Sequence, residues 1–328
     1  MKCINKWICL SLLIAVSCVS GCGKTSAAIE QPYDVYATAA DFGLSSNGTA
    51  EAKSYFASDL CVSEDVAIGT DSTDSQVAEG AGTFNLETNT VVYAKNLYER
   101  LYPASTTKIL TAYIALKYCD DLDAMVTVSE NAVNQASDSS VCNLKAGDVI
   151  RLRDLLYGLM LRSGNDAAVA IAEYISGDVD SFAALMNQEA AAMGATRSHF
   201  VNPNGLPDEN HYTCVYDMYL IFQEAIKLQN FVDIIKTDSI DVSYADANGN
   251  TVSKTWTNTN QYLKGETQSP DGITVIGGKT GTTNAAGYCL VLYSQNKKGQ
   301  DIISIVYKGD SRSSMYTLMN EILSTFAK

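Results

Sequence analysis

Histidine is nearly absent from this 328-residue chain, which has only His199 and His211. Two imidazoles exclude a multi-histidine metal centre, and a Ser-His-Asp triad would have to draw on one of them. Both lie in polar, loop-like stretches and read as surface residues. Positive charge is also short, with 23 Lys and Arg against 37 Asp and Glu, a net −14. Phosphate contacts from Lys and Arg supply most of the affinity for nucleic acid, so no nucleic-acid partner is expected. The chain has no C-x-x-C pair, which removes a zinc-ribbon reading. Beyond the N-terminus no hydrophobic run reaches the ~18 residues of a membrane span. Neither a metal nor a cofactor is expected. What is present, 46% apolar and 18% charged residues, fits a packed core rather than a disordered chain. The length suggests about two domains at ~150 residues each, although one α/β domain can exceed 200.

The N-terminus has the layout of an export signal. Lys2 and Lys6 precede an uncharged stretch from Trp7 to Val19. That stretch is too short to span ~30 Å of hydrocarbon but suits a signal-peptide core. Val19-Ser20-Gly21-Cys22 follows and resembles the lipobox of bacterial lipoproteins. The resemblance implies a signal peptide over 1–21, cleavage before Cys22 and a lipid on the Cys22 sulfur. An ordinary signal peptide cut at nearby small residues is the alternative. Either route leads outside the cytoplasm. Losing Lys2 and Lys6 with no acid moves the net charge from −14 to −16. A chain so acidic is repelled by an anionic membrane surface, so attachment falls to the lipid, with two or more acyl chains needed to hold stably. Residues 22–60 are rich in Ala, Ser, Thr and Gly and read as a tether, with a short helix around Ala50–Ser58. A coil of ~35 residues reaches about 30–35 Å.

Nine cysteines occur, at 3, 9, 18, 22, 61, 119, 142, 214 and 289. Three leave with the signal and Cys22 takes the lipid. The remaining five are odd in number, so at least one thiol stays free. The sequence allows a Cys119–Cys142 disulfide without requiring it. Cys289, inside a strand-like run, reads as a small core residue.

From residue 61 to 328 the patterns are regular and define one folded domain. Thr83–Glu87 and Val91–Lys95 flank a Thr-Asn-Thr turn, a hairpin. Ser105–Tyr118 is helical, with Pro103 just ahead of it. Leu152, Leu155, Leu156, Leu159 and Met160 recur at helical spacing. Helices follow over 166–175, 180–193 and 216–228, the first two stopped by Gly177 and Gly194. Strands cover 273–282, 287–294 and 302–307, and a helix over 313–326 closes the chain. Strands at both ends with helices between predict an α/β (α+β) fold. It has an antiparallel sheet built from both chain ends, helices on both of its sides and an all-helical subdomain.

Three short motifs carry chemistry. Ser105-Thr-Thr-Lys108 stands at a helix start, where positions i and i+3 share a face, so Lys108 Nζ can reach Ser105 Oγ. A serine needs an adjacent base to become a nucleophile, and a lysine serves only if its pKa is lowered. Ser294-Gln-Asn-Lys297 fits the same pattern but falls in a predicted turn. Ser163-Gly-Asn165 lies between two helices, where a hydroxyl can relay a proton and an amide can bind peptide backbone. A helix cap is the bland reading, and Ser45-Ser-Asn47 and Ser129-Glu-Asn131 match the tripeptide too. Lys279-Thr-Gly281 sits near a strand end, where a side-chain-free position lets substrate lie along the strand.

In this order, 58 and 116 residues apart, the three form the set of penicillin-binding proteins and class A β-lactamases. Leu101-Tyr-Pro-Ala-Ser-Thr-Thr-Lys108, Leu161-Arg-Ser-Gly-Asn-Asp166, Gly278–Gly287, Asn204-Gly-Leu206 and Asn258-Thr-Asn260 resemble low-molecular-mass D-alanyl-D-alanine carboxypeptidases. The likeness runs over about 62–328. It implies a β-lactamase/DD-peptidase-like fold and a peptidase acting on peptidoglycan stem peptides ending in D-Ala-D-Ala, with β-lactams as covalent inhibitors. Ser105 would be the nucleophile, Lys108 its base and Ser163 the proton relay, helped by Lys279. Asn165, Lys279, Thr280, Gly281 and Thr282 would bind substrate, and the N–H groups of Ser105 and Thr282 would form the oxyanion hole. Many relatives add a β-rich C-terminal domain that is not expected here, and the Cys22 lipid would replace their C-terminal anchor. Arg312 lies where some relatives carry a basic carboxylate ligand, but the alignment there is loose and it stays outside the expected site. A class A β-lactamase is the first rival, but the Glu-x-x-Leu-Asn element it needs is missing between 166 and 278. A non-catalytic wall-binding scaffold is the second.

Overall fold

The computed structural model describes residues 57–328, so the expected signal, Cys22 and nearly all of the tether lie outside the described residues. Asp59–Lys328 forms one compact unit. Its main sheet has five antiparallel strands: β1 (Ala78–Asn85), β2 (Thr90–Lys95), β7 (Ile273–Thr283), β8 (Gly287–Asn296) and β9 (Asp301–Gly309). Their order is β2-β1-β9-β8-β7, so the first and last strands of the chain pair at the centre and β7 forms an edge.

Both faces of this sheet are covered, and the strand sequences reflect it. On β8, Leu290 and Leu292 face the closing helix α8 (Arg312–Phe326), packing with Met319, Ile322 and Leu323. The alternate residues Cys289, Val291 and Tyr293 face the other way, into the larger helical core. A strand buried on two faces reads as a continuous apolar run, which is why β8 and β9 show no polar alternation. Ser311 caps α8 in a reciprocal bond pair with Ser314, each at 3.1 Å.

The helices of the opposite layer are α1 (Lys108–Tyr118), α2 (Glu130–Val133), α3 (Leu152–Leu161), α4 (Asn165–Ser176), α5 (Val179–Ala192), α6 (Val215–Ile226) and α7 (Gln229–Ile235). In α1 every residue from Lys108 to Ala115 is buried, the signature of a helix enclosed on all sides. The helix expected over 216–228 is α6, and a further helix, α7, follows it after Leu228, which adopts an extended conformation (φ −87°, ψ 112°) between the two.

The subdomain read as all-helical also carries a second sheet, β3 (Met125–Thr127), β4 (Val149–Arg151), β5 (Ser239–Ala245) and β6 (Thr251–Thr257), in that order. From β6, Lys254 Nζ donates to the carbonyls of Cys142 (3.1 Å) and Asn143 (2.5 Å), tying this sheet to the loop beneath the site. All five described cysteines are free, so the Cys119–Cys142 disulfide does not form. Cys142 is instead packed under the Ser163 loop. A Cβ on Gly158 or Gly164 would fall 2.6 or 2.4 Å from its Sγ.

Candidate active site

Pro103 starts a 3-10 turn (Ala104–Thr107) that runs directly into α1. Ala104 has φ +47°, a left-handed conformation that non-glycine residues adopt at a cost of roughly 1 kcal/mol or more. The turn is held by its own threonines. Thr106 Oγ1 donates to Pro103 O (2.7 Å) and lies 2.8 Å from the Tyr307 hydroxyl on β9. Thr107 Oγ1 lies 2.9 Å from His211 Nε2. Ser105, between the strained alanine and these anchors, is half-buried and opens to a cleft.

Lys108 is fully buried, and its Nζ has three neighbours: Ser105 Oγ at 3.0 Å, Asn165 Oδ1 at 2.8 Å and Asn204 O at 2.6 Å. The two carbonyl oxygens can only accept. A neutral amine gives its two N–H bonds to them and turns its lone pair to the serine hydroxyl. Burial, and then the ammonium of Lys279, hold Lys108 well below its usual pKa. The Asn204 carbonyl comes from a tight turn at Gly205 (φ +88°). A Cβ there would lie 1.9 Å from Ala104 O, so this loop packs on the nucleophile turn without a side chain between. Thr111 Oγ1 fixes the same loop by donating to Pro203 O at 2.7 Å.

Ser163 also has a left-handed φ of +59°, which aims its hydroxyl across the cleft. Lys279 Nζ on β7 lies 3.1 Å from Ser163 Oγ and 2.8 Å from Thr280 O. Burial lowers Lys279 to about 7. Asp166, next to Asn165, accepts from the N–H groups of Cys142 (2.8 Å) and Leu144 (3.0 Å), while Asn165 N donates to Ser140 O (2.8 Å). These bonds lock the 140–144 loop to the start of α4.

The third wall is the edge strand β7. Gly281 lies against the nucleophile turn, where a Cβ would fall 3.0 Å from Ser105 N. Thr280 Oγ1 is 2.6 Å from Thr259 Oγ1, and the Asn258 and Asn260 side chains hold the Thr259 turn by accepting from backbone N–H groups at 2.9 and 3.1 Å. Thr282 is exposed at the cleft.

All eight expected site residues, Ser105, Lys108, Ser163, Asn165, Lys279, Thr280, Gly281 and Thr282, therefore converge around one cleft. Ser105 divides it. A narrow part of about 110 Å³ holds Ser163, Thr280, Tyr288 and Arg312, and a wider part of about 450 Å³ runs past Ser140, Asn204 and Asn284. Arg312, at the start of α8 with its guanidinium 5.9 Å from the Tyr288 ring centre, thus belongs to the cleft although sequence left it out.

His211 also lies elsewhere than its sequence suggests. It is 1% exposed rather than on the surface. Its Nδ1 accepts from Val201 N (3.1 Å), which assigns the proton to Nε2 and makes Thr107 Oγ1 its acceptor. Phe200 meets its ring edge-on. The polar neighbours Glu209 and Asn210 hid this, since burial here comes from distant contacts. His199 is only partly covered.

An activatable serine, a buried lysine in hydrogen-bond reach and a second Ser–Lys pair across a cleft define an acyl-transferring serine enzyme of the β-lactamase/DD-peptidase-like fold. Comparison with known proteins narrows the class. Residues 69–311 match the pattern of the D-alanyl-D-alanine carboxypeptidases, peptidase family S11, and the chain belongs to that family. Its members act outside the cytoplasm, on the cell wall. D-alanyl-D-alanine carboxypeptidase DacF of Bacillus subtilis is 35% identical over 236 residues, covering 70% of this chain and 57% of its own. The D-alanyl-D-alanine carboxypeptidase of Streptomyces sp. strain K15 is 34% identical over 244 residues, 71% of this chain and 81% of its own. The solved structure of the Streptomyces K15 DD-transpeptidase superposes with a TM-score of 0.70 at 32% identity, covering 75% of this chain and 95% of that one. Against relatives such as DacF this chain spans little more than half their length.

Proposed function

We propose that this chain is a serine-type D-Ala-D-Ala carboxypeptidase that trims the terminal D-alanine from peptidoglycan stem peptides. Lys108 takes the proton of Ser105 as Oγ attacks the carbonyl between the two D-alanines. The N–H groups of Ser105 and Thr282 receive the developing oxyanion. As the C–N bond breaks, the leaving nitrogen takes a proton from Ser163, which Lys279 supports. Lys279, Thr280 and Thr282 hold the terminal carboxylate, Gly281 leaves room for backbone, and Asn165 binds the substrate amide and steadies Lys108. Water then cleaves the Ser105 ester and releases the shortened peptide.

The observation that carries this reading is the set of partners of Lys108: two carbonyl oxygens that can only accept and one serine hydroxyl. The test is an intact-mass time course of the full chain in detergent with benzylpenicillin, beside an assay of D-alanine release. A lasting adduct of one penicillin, lost in Ser105→Ala, together with D-alanine release, is the expected result. Rapid penicillin consumption without an adduct would point to a β-lactamase instead, and neither reaction to a scaffold.

The reading extends to location. Residues 1–21 are a signal, Cys22 carries the lipid, 22–60 is a tether and 61–328 is the catalytic domain, set above the membrane. Cys22→Ser should release the protein from the membrane fraction, and a variant that stays bound would refute the anchor.

A further inference from the structure

The two parts of the cleft differ in charge. On the leaving-group side of Ser105 the exposed charged residue is the cation Arg312. On the other side the wall carries a single charged residue, the anion Asp138. Asp138 is exposed and has neither an ion pair nor a side-chain hydrogen bond among the described residues. Its loop, by contrast, is fixed. Ser139 N donates to Ala136 O at 3.0 Å, Ser140 O accepts from Asn165 N at 2.8 Å, and Asp166 and Lys254 clamp residues 142–144 just beyond. A carboxylate on a fixed loop, unpaired and facing the groove beside the nucleophile, is preset for a cation that arrives with the substrate.

We infer that Asp138 is a specificity residue that receives a free ammonium on the side chain of the residue preceding the two D-alanines. The inference rests on the carboxypeptidase reading above. Once the terminal D-alanine occupies the Arg312 side, the peptide must leave Ser105 through the wider part. The residue before the acylated D-alanine begins only one Cα–Cα step, ~3.8 Å, further on. Its side chain is the first substrate group to project into that groove. The groove offers it a hydroxyl from Ser140, an amide from Asn284 and one negative charge. A long side chain ending in an amine fits both the space and the charge, whereas a carboxylate there would meet Asp138 unfavourably. Cation on one side and anion on the other make the cleft complementary to a peptide with a carboxylate at its end and an ammonium two residues before it.

The experiment measures kcat/KM for D-alanine release by the full chain in detergent from three peptides of sequence Lys-D-Ala-D-Ala. One is acetylated on Nα only, one on Nε only and one on both. Benzylpenicillin acylation normalises each preparation for competent Ser105. Wild type should favour the peptide with a free Nε over the diacetylated one about fivefold, the scale of an ion pair in a solvent-accessible cleft. Asp138→Asn should flatten that ratio and Asp138→Lys should invert it. A ratio unchanged in both variants overturns the inference while leaving the carboxypeptidase reading intact. Preference for the free Nα overturns it too, since the ammonium would then be the peptide's own terminus. Absence of D-alanine release from all three peptides in wild type overturns the carboxypeptidase reading and the inference with it.

Discussion

Lys279 Nζ stands 3.1 Å from Ser163 Oγ, across 116 residues of sequence, so the edge strand and the interhelix loop meet at one hydrogen bond. Lys279 is 1% exposed and burial lowers its amine to about 7, while Lys108 in the same site lies well below its usual value. The proposed mechanism gives the two lysines opposite tasks, Lys108 neutral and Lys279 charged. Activity therefore rises as Lys108 loses its proton and falls as pH climbs through about 7 and Lys279 loses its own. A profile of kcat/KM from pH 5 to 10 should be bell-shaped. In Lys279→Arg the guanidinium keeps its charge past pH 12, so the alkaline limb should vanish even though the rate drops. An unchanged alkaline limb in that variant would assign it to another group.

Arg312 should act on the substrate's end charge rather than on the chemistry. Arg312→Gln should lower kcat/KM for a peptide ending in D-Ala-D-Ala about tenfold, mainly through KM. The same peptide with an amidated C-terminus has no carboxylate to lose. The ratio of the two peptides in wild type and variant checks the assignment, and equal losses on both would refute it.

His211 links acidity to stability. Burial holds it at about 4 in the folded chain, against 6.5 for an ordinary histidine. The unfolded chain takes up its proton near pH 6.5, while the native ring stays neutral down to about 4. Its contribution is complete above pH 6.5, declines as pH falls from 6.5 to 4, and is spent below that. The lowered value corresponds to about 3 kcal/mol. His211→Gln cannot titrate, so its unfolding free energy should fall less than that of wild type between pH 7 and 4.5. Urea melts at those two pH values give the comparison, and parallel losses in the two proteins would show that the ring is not the titrating group.

The three motifs that meet at the cleft were legible because each rests on local geometry. An i, i+3 pair at a helix start and a lysine on a strand can be read from spacing alone. The main sheet was legible for a similar reason, since β8 and β9 carry long apolar runs. His211 was not, because its partners Thr107, Phe200 and Val201 are brought to it by the fold, and its nearest neighbours in sequence are polar. β3 and β4 hold three residues each, too short for any period to declare itself. β5 and β6 were within reach. Val242 and Tyr244 alternate with polar residues, and the Asp246–Asn250 turn separates them from the strand that ends near Trp256. Asp138 lies in a turn of small and polar residues, and nothing local marks it as facing the cleft.

Gly205 offers the sharpest test of how the nucleophile turn is held. Its φ of +88° nearly equals the +87° of Gly177, but the surroundings differ. A Cβ on Gly177 would meet nothing within 4 Å, whereas one on Gly205 would lie 1.9 Å from Ala104 O. Gly177→Ala therefore measures the cost of the left-handed backbone alone, about 1–2 kcal/mol. Gly205→Ala carries the same cost and must also push the Asn204 loop off the turn that bears Ser105. That movement takes the Asn204 carbonyl from Lys108 Nζ, now 2.6 Å away, and leaves the amine with one fixed acceptor instead of two. Gly205→Ala should lower the melting temperature more than Gly177→Ala and slow penicillin acylation at least tenfold, while Gly177→Ala should acylate at the wild-type rate. If both substitutions slowed acylation equally, the contact between the Gly205 turn and Ala104 would not be what positions the base.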